Sequence, residues 1–397
     1  MQPDIATLRQ NLAYQTDLCV KCGMCSSQCP TYLLSRNENE SPRGRIALIQ
    51  ALISEQSKNT DLIQKHLDSC LSCLHCEKIC PSKVPYSEIL AGAQTLLSAQ
   101  STVADKKIKK ISTLKYSQWK KLALLYRLTY SSGLLKLAAN IFFRKFRYYL
   151  QVPAKPAAFN VDSKQRVQLF SGCLAKVFDQ STQQGAIKLL QACNVSLDIP
   201  ENQQCCGALA SHNKQFSIAD ECIKNNSALF KKNVPTIFTT SGCGAFLKKQ
   251  NAKSDLDSQQ QYIEAGRFLL DNTAFQQLQF GKLEKTVLIH SPCSEKNDLK
   301  QSSSLELIQK IPDIQIKTMP DITPCCGAGG AFMIKHTEAA QQIRFYTEKE
   351  ILNIKPQIIV STNYPCAMHI AAGLKEKGLD IEVMHPLSLL ARQLMTR

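Results

Sequence analysis

The sequence predicts an α+β multidomain chain, a small helical unit followed by two copies of one α/β unit. Three observations carry that expectation. Two runs of the form C-x2-C-x2-C-x3-C-P stand near the N-terminus. Apolar residues at helical spacing, rather than a tight turn, fill the gap between them. From residue 165 onward, apolar strands alternate with helical stretches and the cysteine pattern repeats itself. The size agrees, since 397 residues hold two or three folding units at roughly 100 to 200 residues each. With 44% hydrophobic and 20% charged residues the composition is ordinary globular usage, which excludes disordered and fibrous classes.

The cysteine runs decide the N-terminal chemistry. Cys19, Cys22, Cys25 and Cys29 lead into Pro30, and Cys70, Cys73, Cys76 and Cys80 lead into Pro81. Three thiolates so spaced wrap one corner of a cuboidal [4Fe-4S] cluster, while the fourth, set off by proline, reaches the other cluster. The spacing therefore assigns Cys19, Cys22, Cys25 and Cys80 to one cluster, and Cys70, Cys73, Cys76 and Cys29 to the second. Zinc ribbons use two separated C-x2-C pairs instead, so zinc does not fit the doubled run. His75, between two ligands, reads as a solvent-facing spacer. Eighteen cysteines are too dilute for a small disulfide scaffold, and Met1 to Leu18 lacks the features of a secretory signal. The expected compartment is the reducing cytoplasm, where clustered thiols are metal ligands.

Between the runs, Pro42-Arg43-Gly44-Arg45 opens a stretch in which Ile46, Leu48, Ile49, Leu52 and Ile53 recur at helical spacing. A helix there replaces the short hairpin of small ferredoxins. Residues 1–105 thus read as a helical ferredoxin domain with two [4Fe-4S] clusters, in which Arg43 and Arg45 are candidates for steering an acidic partner or stabilising anionic clusters. Residues 106–164 read as a basic connector and linker. Thirteen lysines and arginines and no acid lie between Lys106 and Lys155, most of the net charge of +16. Interleaved with Trp119, Leu124, Leu125, Phe142 and Tyr148, they have the composition of a basic amphipathic helix at an anionic surface. Peripheral contact with the inner face of the cytoplasmic membrane is expected, against the other reading of a helical hairpin packed on the chain's own domains. No helix-turn-helix, zinc-finger or RNP signature accompanies the charge, so no nucleic-acid partner is expected.

The remaining chain reads as one unit used twice, over 165–281 and 282–397. Val167 to Cys173 and Val287 to Cys293 are apolar strands running into S-x-C, offset by 120 residues, and Cys205-Cys206-Gly207 and Cys325-Cys326-Gly327 keep that offset. Cys243 and Cys366, each after a short apolar strand, drift to 123. Helical stretches at 182–192, 216–231, 305–311 and 336–352 separate the strands, which places the cysteines on loops at strand ends. Cys173, Cys205, Cys206 and Cys243 in the first copy, and Cys293, Cys325, Cys326 and Cys366 in the second, are candidates for a further iron-sulfur or metal centre. His290 and His369 are candidate extra ligands, with a structural role the plainer reading of each. Cys193 and Cys222 read as buried small residues within helices. No G-x-G-x-x-G follows a strand, so no flavin or nicotinamide site is expected on this chain.

With these pieces placed, the chain resembles the iron-sulfur subunit of bacterial glycolate dehydrogenase (glycolate oxidase) along nearly its full length. Beyond the cysteines, the resemblance rests on S-P-R-G-R-I at Ser41 to Ile46, H-L-D-x-C-L-x-C at His66 to Cys73, S-G-C-G-A-F at Ser241 to Phe246, and C-x2-H at Cys366. It implies a two-cluster ferredoxin domain followed by two cysteine-rich CCG domains. It also implies a role in electron transfer: a separate FAD-containing subunit oxidises glycolate to glyoxylate, and this chain passes the electrons through its two clusters toward a quinone. The C-terminal half alone is similar to heterodisulfide reductase B subunits, the anaerobic glycerol-3-phosphate dehydrogenase C subunit and lactate-utilisation proteins. Glycerol-3-phosphate or lactate dehydrogenase, and a thiol/disulfide oxidoreductase, therefore stand as alternatives. Phe246 and His369 occupy positions where that pattern ends in C-x2-C, which argues against disulfide reduction, and Pro365 replaces the glycine usual in glycolate subunits.

Overall fold

The computed structural model describes residues 4–97 save 58, scattered positions between 106 and 128, residue 163, and 165–395 save 254–259 and 321–324. Most of the basic connector, including Trp119, Phe142 and Tyr148, lies outside the described residues. The N-terminal unit is built from helices α1 (Ile5–Asp17), α2 (Pro30–Ser35), α3 (Pro42–Ile53), α4 (Thr60–Asp68), α5 (His75–Ile79) and α6 (Tyr86–Leu96). Pro30 and Pro42 open α2 and α3, where a missing N–H costs nothing and the fixed φ is already helical. Ser41 Oγ accepts from Gly44 N at 2.9 Å and Asn59 Oδ1 from Leu62 N at 3.1 Å, capping α3 and α4. Leu12, Ile46, Ile49, Ile63, Leu67 and Ile89 make the core between these helices. The spacing of Ile46 to Ile53 thus reports α3 correctly, and α4 is added to it.

The two repeats have the same topology. Strands β1 (Arg166–Phe170), β2 (Ser196–Asp198), β3 (Thr236–Phe238) and β4 (Tyr262–Glu264) form a sheet of order β2-β1-β3-β4. Strands β5 (Thr286–His290), β6 (Gln315–Thr318), β7 (Ile358–Ser361) and β8 (Glu382–Met384) form one of order β6-β5-β7-β8. Every pairing is parallel, with Gln168 opposite Thr236 and His290 opposite Ser361. Parallel sheets need cover on both faces, which is why β3 and β7 are continuous apolar runs buried along their length. One apolar cluster spans both repeats, joining Leu169, Leu190 and Ile237 to Val287, Val360 and Leu387.

The helices Gln180–Ala192 and Pro386–Gln393 clamp the repeats together. Gly185 lets their backbones approach, since a Cβ there would lie 2.8 Å from the Leu387 carbonyl oxygen, and Lys188 Nζ donates to Ala391 O at 2.8 Å. His385 adds a second tie. Its Nδ1 accepts from Leu387 N at 3.1 Å, which caps the last helix, and its Nε2 donates to Thr239 O at 2.8 Å at the end of β3. Of the connector, Ser112 and Leu114 lie against the first repeat: Leu114 packs on its apolar cluster and Cys222 Sγ is 3.7 Å from Ser112 O.

Candidate metal centres

In a parallel sheet all strands end at one edge, and loops leaving that edge converge. Cys173 follows β1, the Cys205-Cys206 pair follows β2, and Cys243 follows β3; Cys293, Cys325-Cys326 and Cys366 follow β5, β6 and β7 in the same way, except that Cys243 and Cys366 sit in the first turn of the helix after their strand and not on the expected loop. The thiols accordingly meet. Cys173 Sγ lies 3.6 Å from Cys205 Sγ, and Cys206 bonds to both Cys205 and Cys243. In the second repeat Cys326 Sγ lies 2.7 Å from Cys366 Sγ, with Cys325 bonded to Cys326 and Cys293 facing Cys325. The glycine after each pair is required by the backbone: Gly207 and Gly327 have φ of +93° and +76°, and a Cβ at either would press on a helix carbonyl, of Ala219 or Ala340. Cys205 receives bonds from the Cys173 and Cys206 thiols and from the Gly207 and Cys206 amides, which hold it well below the ordinary thiol range. Burial pushes the Cys293 thiol up to about 12.

The N-terminal runs are shaped by backbone that the spacing does not reveal. Lys21 and Gly23 in the first run, and Ser72 and Leu74 in the second, adopt left-handed conformations at φ of 54°, 84°, 51° and 59°. They flank the second cysteine of each run at matching positions. Left-handed residues turn successive N–H groups into one concavity, the geometry of nests that hold anionic iron-sulfur groups.

A cavity opens between the runs and is lined by Cys29, Cys70, Cys73 and Cys76, with Thr31, Arg45, Leu71 and Tyr86 among the remaining walls. Cys29 comes from the first run and the other three from the second. Ser72 N–H points at Cys70 Sγ (3.4 Å) and Tyr86 Oη donates to it (3.6 Å). Four thiols around an enclosed space with donors aimed at sulfur fit a [4Fe-4S] group. Cys22 of the first run is exposed, Cys19 and Cys25 are half-buried and near enough to interact electrostatically, and Cys19 and Cys80 each pack against the helical core.

The cavity wall continues into the second repeat. Cys73, Cys325, Leu71 and Phe332 belong to one apolar cluster, and Asn297 Nδ2 donates to Cys73 O at 2.7 Å. Burial first, then the Cys325 and Cys293 thiols, raise the Cys73 pKa well above the ordinary value. The strongest influences on the other thiol group, around Cys205, are that group's own cysteines and burial.

His75, expected to face solvent, is half-buried, and burial, then Lys296 and Lys78, lower its pKa. His290 bonds Ser361 Oγ at 3.0 Å and His369 bonds Cys326 O at 2.8 Å; the latter braces the cysteine loop through its carbonyl. Cys193 and Cys222 are buried in apolar clusters, Cys193 as the cap of its helix rather than within it. Among the described residues no three His, Cys, Asp or Glu side chains close on a point sized for a single metal ion.

Family models agree with this division. Residues 15–84 match the 4Fe-4S dicluster domain, and residues 167–248 and 287–371 each match the cysteine-rich domain CCG. The chain joins a 4Fe-4S dicluster domain to two cysteine-rich domains, and carries two [4Fe-4S] clusters. More particularly, it is similar to the glycolate oxidase iron-sulfur subunit of Escherichia coli (strain K12), 28% identical over 89% of both chains. It is also similar to the probable glycolate oxidase iron-sulfur subunit of Bacillus subtilis (strain 168), 26% identical over 92% of this chain and 90% of that one. A lactate utilization protein A 2 of Bacillus cereus (strain Q1) is 26% identical over 58% of this chain and 99% of its own length.

Proposed function

We propose that this chain is the electron-transfer subunit of a flavin-dependent glycolate dehydrogenase. On this reading a partner subunit with FAD oxidises glycolate to glyoxylate, and the electrons cross this chain toward a quinone. The cavity ringed by Cys29, Cys70, Cys73 and Cys76, with its wall against the thiols of the second repeat, carries the reading. When bound, a [4Fe-4S] cluster supplies one-electron transfer without proton chemistry of its own. The protein supplies the rest: Cys70, Cys73, Cys76 and Cys29 hold one cluster, and Cys19, Cys22, Cys25 and Cys80 hold the other. Loop amides such as Ser72 N–H, aimed at Cys70 Sγ, offset their negative charge.

The thiols around Cys325 are assigned to a further centre beside the second cluster, and those around Cys205 to docking or a centre of their own. The domain limits follow the sequence repeat, with the ferredoxin domain at 1–105, the connector at 106–164 and the two repeats at 165–281 and 282–397. In the connector, Lys121, Leu124, Leu125 and Leu128 are exposed on one helical face, which supports peripheral membrane contact. Among the described residues no helix is long and apolar enough to cross a membrane.

Coexpression with candidate flavin subunits tests the function. Purified complex should reduce a quinone analogue with glycolate and lose that activity, but not glycolate reduction of the flavin, in a Cys73→Ser variant. Activity with lactate or glycerol 3-phosphate and none with glycolate would move the assignment to those enzymes.

A further inference from the structure

Arg43 and Arg45 stand two positions apart in the first turn of α3, and their side chains go to different cysteine runs. Arg43 remains partly exposed, pairs with Glu38 Oε1 at 2.6 Å and donates to Lys21 O at 3.2 Å beside the first run. Arg45 is 1% exposed and lines the cavity of Cys29, Cys70, Cys73 and Cys76. Its guanidinium donates to His66 O (2.8 Å), Glu40 O (2.6 Å), Glu40 Oε2 (2.6 Å), Ser69 Oγ (2.8 Å) and Thr31 Oγ1 (3.2 Å). Thr31 Oγ1 in turn lies 3.2 Å from Cys29 Sγ. Glu40, its anionic partner, is not part of the cavity lining and is held by His66 Nδ1 at 2.7 Å and by Ser69. The positive end of the ion pair therefore faces the cavity.

We propose that Arg45 and Tyr86 set the reduction potential of the cluster held by Cys29, Cys70, Cys73 and Cys76 above that of the cluster held by Cys19, Cys22, Cys25 and Cys80. The inference rests on the two-cluster assignment above. A buried cation and a sulfur-directed hydroxyl favour the more negative, reduced state of a cluster, and both act more strongly where water is excluded. Arg43, paired and partly exposed, is screened and does much less for the first run. Burial opposes the Arg45 charge, and the ion pair to Glu40 Oε2 at 2.6 Å holds it in place. The cluster beside the second repeat is then where an electron settles. Arg45 and Tyr86 are positioning residues in this sense, acting on the field at the cluster without ligating it.

The test is a redox titration of the full-length, anaerobically purified chain followed by low-temperature EPR, with iron content measured on each sample. The two signals are assigned from Cys22→Ser and Cys73→Ser. Tyr86→Phe and Arg45→Gln should each make the second cluster harder to reduce, Arg45→Gln by at least tenfold, which is about 59 mV for one electron. The first cluster should hold its potential, and Arg45→Lys, which keeps the charge, should recover most of the shift. Three results overturn the proposal: unmoved potentials with iron retained, equal shifts in Arg45→Lys and Arg45→Gln, or iron loss in Arg45→Gln together with an unmoved potential in Tyr86→Phe. Wild-type protein reconstituted under the same conditions and still without iron would overturn the cluster assignment itself, and this inference with it.

Discussion

At the scale of single residues, the informative groups are those that chemistry at distance forces into place. His385 uses both ring nitrogens, accepting from Leu387 N and donating to Thr239 O, and burial lowers its pKa to about 4. Its ordinary value is 6.5, so between pH 6.5 and 4 the unfolded chain binds a proton that the folded chain refuses. The stability it contributes is therefore full above pH 6.5 and falls as pH drops toward 4, at up to about 1.4 kcal/mol per pH unit. His290 and His369, lowered by burial to about 4, act with the same sign. In a His385→Gln variant the thermal midpoint should fall less between pH 7 and pH 5 than in the parent; an equal fall would remove His385 from the acid response. None of this is legible in the sequence, because a histidine before Pro386 carries no mark of the carbonyl that it meets 146 residues away. The left-handed Lys21, Ser72 and Leu74 are similarly silent, since only Gly23 among the four matching positions advertises a positive φ.

At the scale of elements, the central strands were readable and the flanking ones were not. β1, β3, β5 and β7 are largely apolar runs that lead into cysteines, Cys243 and Cys366 in the first turn of the next helix, so periodicity and repeat point to the same places. β2, β4, β6 and β8 sit at sheet edges, are three or four residues long and mix polar with apolar positions, which leaves no pattern above noise. The clamp between Gln180–Ala192 and Pro386–Gln393 depends on Gly185, whose close neighbour is backbone and has little room to yield. Gly185→Leu should cost about 1–3 kcal/mol by overpacking, read as a lower denaturant midpoint with unchanged slope. A variant as stable as the parent would show that the two helices slide apart without loss.

At the scale of the whole molecule, eight N-terminal cysteines and eight in the repeats were legible as groups, because ligand spacing is a local property of the chain. What spacing could not show is how the groups meet. Cys73 and Cys325 share one apolar cluster, so the dicluster unit is docked with its second cysteine run against the second repeat. The repeat is symmetric in topology and asymmetric in its neighbours, a difference set by tertiary packing alone. The central claim is the crossed ligand set, in which Cys29 of the first run serves the cluster of the second. Iron and acid-labile sulfide content with low-temperature EPR, on anaerobically purified Cys29→Ser beside the parent, tests it most directly. The account predicts at least about eight iron in the parent, four for each cluster, and in the variant the loss or alteration of the same signal that Cys73→Ser removes. Alteration of the signal that Cys22→Ser removes, with the Cys73-dependent signal intact, would contradict it.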